Sequence, residues 1–341
     1  MNSTQVDLDD ASTVPLHGLP AGSLSDINLF TFNLWFVVVA TSCLACFSIV
    51  ANLINSCVFP RQGLSERVNV TLLCLSVTDV LASVSALGFT ASYSGKLTPF
   101  ANLNIDVLSL LMIFAWIRAF FIDLSSALTV YITIERSICV TFPLSFKTSI
   151  VARRSKVILA TTTLFVFVNY IPIYATLRST YANDTNGNST ILTLVYTDLH
   201  LSLGLANDFL FGIALAVCCQ ISVFTCAVLM YLSLRKSTEL RDKQRMVHNG
   251  SPANHFKSDP NNPGLPKREK RVVRMILMLA CLYIPTSLPQ IVFSCIRVGL
   301  PGLFVTSRNI YDAIGAVVKM CTTANGAFNI FIYYHFSSRY K

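Results

Sequence analysis

Five charged side chains fall within or at the ends of long apolar runs: Asp79, Arg118, Asp123, Arg136 and Lys319. Charge in such a setting is costly and is usually kept for what it binds. Arg118 precedes Arg136 by 18 residues, which is five turns at about 3.6 residues per turn, so on a helix the two share a face. Lys319 precedes Asn329 by ten residues, about 2.8 turns, and so falls near that residue's face. Two cations facing one cavity attract an anion, and a guanidinium can grip a carboxylate through two parallel hydrogen bonds. The spacing therefore predicts a site for an acidic small molecule, or the carboxylate of an amino acid or peptide, between Arg118 and Lys319. Tyr283, Gln290 and Trp116 are candidate neighbours. The alternative is an internal pair, Arg118 with Asp123 or with Asp312. Asp123 is five positions away, poor spacing for a pair on one helix. The chain has no GxSxG, HExxH, P-loop or pair of CxxC motifs, so no enzyme chemistry is expected.

The elements that would carry these residues follow from composition. Of 341 residues, 53% are hydrophobic and 13% charged, against about 25% charged in an average soluble domain. Mean hydropathy is +0.58. These values exclude a disordered chain, a nucleic-acid partner and most soluble enzymes, and point to a lipid bilayer. Apolar stretches long enough to cross it occur at about 30–58, 70–92, 107–140, 157–177, 208–234, 275–296 and 309–334. They are too long for barrel strands and do not alternate, so they are helices. The expected fold is an all-α membrane protein, a seven-helix bundle over residues 30–334, with an outer tail at 1–29 and a short inner tail at 335–341.

Orientation follows from the basic residues. With the N terminus outside, inner segments hold 20 of the 26 Lys and Arg and outer segments hold four. Sequons at Asn2, Asn183 and Asn188 then fall outside and are candidate glycosylation sites, while the one at Asn69 falls at the inner end of the second span and is idle. No apolar stretch precedes the first span, so that span should act as the targeting signal. The inner segment 235–272 is basic at both ends and rich in Pro, Gly and Asn. It is either a disordered basic loop or a pair of helical extensions of spans five and six that receive a cytoplasmic partner.

The intramembrane polar residues form a recurring order. Asn52 sits in the first span, and Leu75-Ser-Val-Thr-Asp79 in the second. Glu135-Arg136-Ser137 ends the third, followed by Pro143-Leu144. Cys281-Leu-Tyr283-Ile-Pro285 lies in the sixth, and Asn325 followed by Asn329-Ile-Phe-Ile-Tyr333 in the seventh. This set resembles the rhodopsin-like (class A) G-protein-coupled receptors over about residues 30–340. The stretch Tyr131–Val140 with Pro143–Thr148 is similar to invertebrate, molluscan-type chemosensory receptors. The resemblance implies a multi-pass protein of the cell membrane that binds an extracellular ligand and activates a heterotrimeric G protein at its cytoplasmic face. Arg136 would engage the G protein, Glu135 would hold it at rest, and Tyr333 would swing inward on activation; Pro285 and Asn329 belong to the same machinery. Arg118 and Lys319 match pocket-lining positions. Asp79, with Asn52, Ser125, Asn325 and Asn329, resembles a polar cluster that can hold a sodium ion. A carboxylate among hydroxyl and amide oxygens suits either a hard cation or bound water, and a protonated or water-bonded acid is the alternative. No other cofactor is expected.

The departures are as informative. The loop 178–204 has no Cys, so the disulfide that usually ties it to the third span cannot form. The fourth span lacks its Trp and the fifth its Pro; Tyr283 stands where a Trp would be, and Ile330 where a Pro would follow Asn329. They suggest a divergent branch. The rivals are a seven-helix chemoreceptor or channel subunit not coupled to G proteins, whose N terminus would be inside, and a secondary transporter.

Overall fold

The computed structural model describes residues 26–63, 67–97, 106–142, 154–183, 190–195, 197–249, 267–300 and 308–336. Seven long helices follow one another. Asp26–Asn33, Leu34–Ala40 and Thr41–Arg61 run on as α1; then come α2 (Arg67–Leu97), α3 (Val107–Thr141) and α4 (Ser155–Ala175). A hairpin, β1 (Arg178–Asn183) and β2 (Thr190–Val195), precedes α5, made of Asp198–Asn207, Asp208–Leu215 and Ala216–Asn249. Last are α6 (Lys267–Gly299) and α7 (Arg308–Phe336).

The bundle is sorted for lipid rather than water. Apolar side chains face out, among them Phe165, Phe167 and Val168 on α4 and Phe224, Tyr231 and Leu232 on α5. Polar ones turn inward: Ser48, Asn52, Asn55, Thr71 and Ser76 are fully buried where α1 meets α2 and α7. Six helices, α1 to α6, are apolar and long enough to cross a bilayer by composition. The seventh falls short because Lys319, Thr322, Thr323, Asn325 and Asn329 lower its hydropathy. Its 29 residues reach about 44 Å, enough to cross a core of about 30 Å. Packed on α1 and α6, it turns those polar groups to the bundle.

Two helices carry π-helical turns, Leu34–Ala40 in α1 and Asp208–Leu215 in α5. Such turns release backbone groups and often mark functional positions. In α1 the Thr41 hydroxyl donates to the Phe36 carbonyl at 2.8 Å. In α5 the turn brings Gly212 against Ser294 of α6, so close that a Cβ there would lie 2.4 Å from the Ser294 hydroxyl. Glycine is required at that crossing.

One expectation changes, one of two open readings is favoured and one element is new. Span five begins at Asp198 rather than at 208, because Asp208 stays inside the helix, charge-paired with Arg297 of α6. The helical-extension reading of 235–272 holds over its described residues: α5 continues to Asn249 and α6 starts at Lys267. The fold also carries one antiparallel hairpin, in which Arg178 pairs with Val195 and Asn183 with Thr190.

Candidate functional site

The third helix is the spine of the site. Asp106 caps it by accepting from the Ser109 amide at 2.9 Å. From there Arg118, Asp123, Ser125, Glu135 and Arg136 are set out along one rigid helix. The hairpin closes over its outer end without a covalent tie. The Asp106 amide donates to the Leu192 carbonyl at 2.9 Å, and the Leu194 amide donates to the Ser109 hydroxyl at 2.8 Å. All eleven cysteines are free. Two hydrogen bonds thus stand where the missing disulfide would be.

An internal cavity opens among α2, α3, α5, α6 and α7. Arg118, Asp123, Tyr283, Gln290 and Asp79 lie on its wall. The cavity volume is about 80 Å³, several times the roughly 10–15 Å³ that one water needs, so a small molecule fits.

Arg118 is almost wholly buried, and its Nη2 donates to the Lys319 carbonyl at 2.9 Å, the Thr322 hydroxyl at 2.6 Å and the Thr323 hydroxyl at 3.1 Å. It therefore pairs with neither Asp123 nor Asp312, and both internal-pair readings fail. The placement of Lys319 on the cavity wall fails too. Its ammonium lies 5.1 Å from the Phe89 ring centre, toward α2, and the lysine is not among the wall residues. The helical phase explains this. Ten residues at about 100° each leave Lys319 roughly 80° off the Asn329 direction, whereas Thr322, seven residues before Asn329, is off by only about 20°. Trp116 also points elsewhere, packing edge-on against Tyr170 and His200 at 6.5 and 5.8 Å between ring centres.

Asp123 accepts from the Tyr170 hydroxyl of α4 at 2.5 Å. Deeper in the bundle, Asp79 accepts from Ser125 at 2.6 Å and from the Asn329 amide at 3.0 Å. Asn52 and Asn325, expected beside it, bond elsewhere. Asn52 donates to the Ser48 and Gly326 carbonyls at 3.0 and 3.1 Å, joining α1 to α7. Asn325 accepts from Thr286 of α6 at 3.1 Å. Gly326 permits the tight seam, since a Cβ there would lie 3.2 Å from the Asp79 carboxyl carbon. Among the described residues, no group of three or more His, Cys, Asp or Glu side chains could hold a metal ion.

The inner end is closed. Arg136 meets the buried Glu135 at 3.4 Å. Tyr333 is 1% exposed and packs edge-on against Phe59 at 5.3 Å, in a core shared with Leu72, Ile132, Met230 and Ile276. Pro285 and Pro289 lie inside α6, and Gln220 of α5 braces that stretch by donating to the Ile284 carbonyl at 3.1 Å and the Ser287 hydroxyl at 2.5 Å.

Several of these residues were not among the sequence candidates: Gln220, Thr286, Thr322, Thr323 and Ser109. Gln220 had a signal, being the one amide in the apolar run Val217–Ile221. Thr322 needed only the phase arithmetic above. Of the sequons, Asn183 lies at the end of β1, Asn69 donates to the Gly63 carbonyl at 2.9 Å, and Asn2 and Asn188 lie outside the described residues, as do Pro143 and Leu144.

A search of curated proteins finds no match. The sequence model of a receptor family, described as serpentine type 7TM GPCR chemoreceptor Srw, matches residues 39–341. Seven long helices in sequence agree with that description. The chain belongs to the Srw family of serpentine seven-transmembrane G-protein-coupled chemoreceptors.

Proposed function

We propose that this chemoreceptor takes the anionic group of an extracellular ligand at Arg118 and, through movement of α6, exposes Arg136 to a heterotrimeric G protein. The observation that carries the reading is the state of Arg118. It is a buried cation on a cavity wall, and among the described residues no acid pairs with it. A buried charge without a counter-ion is strongly unfavourable, and a ligand carboxylate relieves it. Tyr283 and Gln290 are on the same wall, on the helix that Pro285 weakens, so a ligand touching both helices biases α6. The polar order from Asp79 to Tyr333 favours the rhodopsin-like mode of activation, in a divergent branch similar to molluscan-type chemosensory receptors. The concentration of basic residues in the loops of one side supports an N terminus outside, where Asn2, Asn183 and Asn188 would carry sugars.

Asp79 and Ser125 would hold a sodium ion at the foot of the cavity. Among the described residues Asp79 has two hydrogen bonds and no ion pair, and it borders the cavity, so one cation fits the charge.

The test is nucleotide exchange on G proteins by wild-type and Arg118→Gln receptors, at matched surface expression, against a panel of small carboxylic acids. At least one acid should activate the wild type, and the variant should lose that response. Equal potency on both would contradict the reading.

A further inference from the structure

Arg118 shares its cavity with an acid that has no cation. Asp123 is on the same wall set, and its one hydrogen bond goes to Tyr170 through Oδ2. Its Oδ1 makes none among the described residues, and it forms no ion pair. Arg118 donates through Nη2 alone, which leaves Nη1 and Nε without hydrogen bonds among the described residues. One cavity therefore holds a buried arginine and a buried aspartate, each with free hydrogen-bonding capacity, and they are not joined to each other.

They cannot join because of where α3 puts them. Five residues turn about 140° around the helix, so Arg118 reaches toward the α7 threonines while Asp123 reaches toward Tyr170 of α4. Their α-carbons are about 9 Å apart by helix geometry, and the side chains diverge from there. The cavity is thus positive where Arg118 meets α7 and negative where Asp123 leaves α3 toward Tyr170.

We infer that the cavity takes an elongated zwitterion, with its carboxylate at Arg118 and its ammonium at Asp123. This rests on the anion reading above and extends it to the other end of the ligand. Such a ligand answers both buried charges at once, which neither a simple acid nor a simple amine does. The separation selects a molecule whose charges are several bonds apart, an ω-amino acid or a short peptide, over an α-amino acid.

The experiment measures binding to the full-length receptor in lipid nanodiscs by ligand-dependent thermal stabilisation. The probes are glycine, β-alanine, γ-aminobutyrate, δ-aminovalerate and ε-aminocaproate, each beside the same acid without its amino group. The longer zwitterions should bind about tenfold more tightly than their partner acids, the effect of one charge-assisted hydrogen bond. Asp123→Asn should bring that ratio to about one while acid binding persists, and Arg118→Gln should abolish both. Tyr170→Phe, which keeps the Asp123 charge, should preserve the preference. Equal binding of acid and zwitterion to the wild type, or no zwitterion binding at all, overturns the inference. An acid that binds the wild type and fails on Arg118→Gln still leaves the anion site standing, so the two readings fail separately.

Discussion

At the scale of single residues, polar contacts between buried side chains join the helices. Glu135 is fully buried and its carboxylate faces Arg136. Glu135→Gln removes the charge and keeps the shape, so basal nucleotide exchange should rise several-fold as the population moves toward the open inner face. Basal exchange equal to the wild type, at equal expression, would show that the pair does not restrain the receptor. Asp79→Asn should eliminate any stabilisation that sodium confers over potassium, measured as a melting-temperature difference, because the amide cannot supply the anionic oxygen. Asp79 was legible as a charge inside an apolar run, and Glu135 through the family resemblance of Glu135-Arg136-Ser137. Their partners were less so, because partners depend on how far each helix is rotated about its axis. Lys319 shows the limit: its place near Asn329 was read from turn count, and an offset of about 80° carried it to the Phe89 ring. Arg118 was found, yet Thr322 and Thr323, which anchor it, look like ordinary helix residues in sequence.

At the scale of elements, two seams govern motion. Gly212 allows α5 and α6 to touch at Ser294, beside the outer wall of the cavity. Gly212→Ala must force the helices apart, costing about 1–3 kcal/mol as overpacking does, and it should alter agonist potency along with stability. A melting temperature unchanged from wild type would contradict the close contact. The hairpin is the second seam. Ser109→Ala removes the acceptor for the Leu194 amide, so that amide should exchange with deuterium faster and the loop should lose about 0.5–1.5 kcal/mol of tethering. Unchanged exchange at Leu194 would mean another group holds the loop. The absence of a loop cysteine predicted that something else must tie it, but the tie runs through backbone groups and one serine hydroxyl, none of which carries a sequence signature. The spans were legible as apolar runs of sufficient length. The start of α5 was not, because Asp208 reads as an end signal until Arg297 is brought to it by folding.

At the scale of the whole molecule, charge separates three zones. With the N terminus outside, inner segments would hold 20 of the 26 basic residues and outer segments four, with a few charges left inside the bundle. An epitope at the N terminus should therefore be labelled on intact cells, and labelling only after permeabilisation would reverse the topology. The cavity at Arg118 and the core around Tyr333 lie toward opposite ends of α3, and the prolines of α6 sit at the level of the cavity, among its wall residues Tyr283 to Ile291. On the proposed reading, outside contacts would act on α6, whose inner half packs against Ile132 and Tyr333. The most direct measurement is guanine-nucleotide exchange on heterotrimeric G proteins reconstituted in vesicles with wild-type, Glu135→Gln or Arg136→Ala receptor. Exchange should exceed the receptor-free rate for wild type, rise further with Glu135→Gln and fall to that baseline with Arg136→Ala. Indistinguishable rates for all three, with each protein folded and inserted, would contradict G-protein coupling through the inner end of α3.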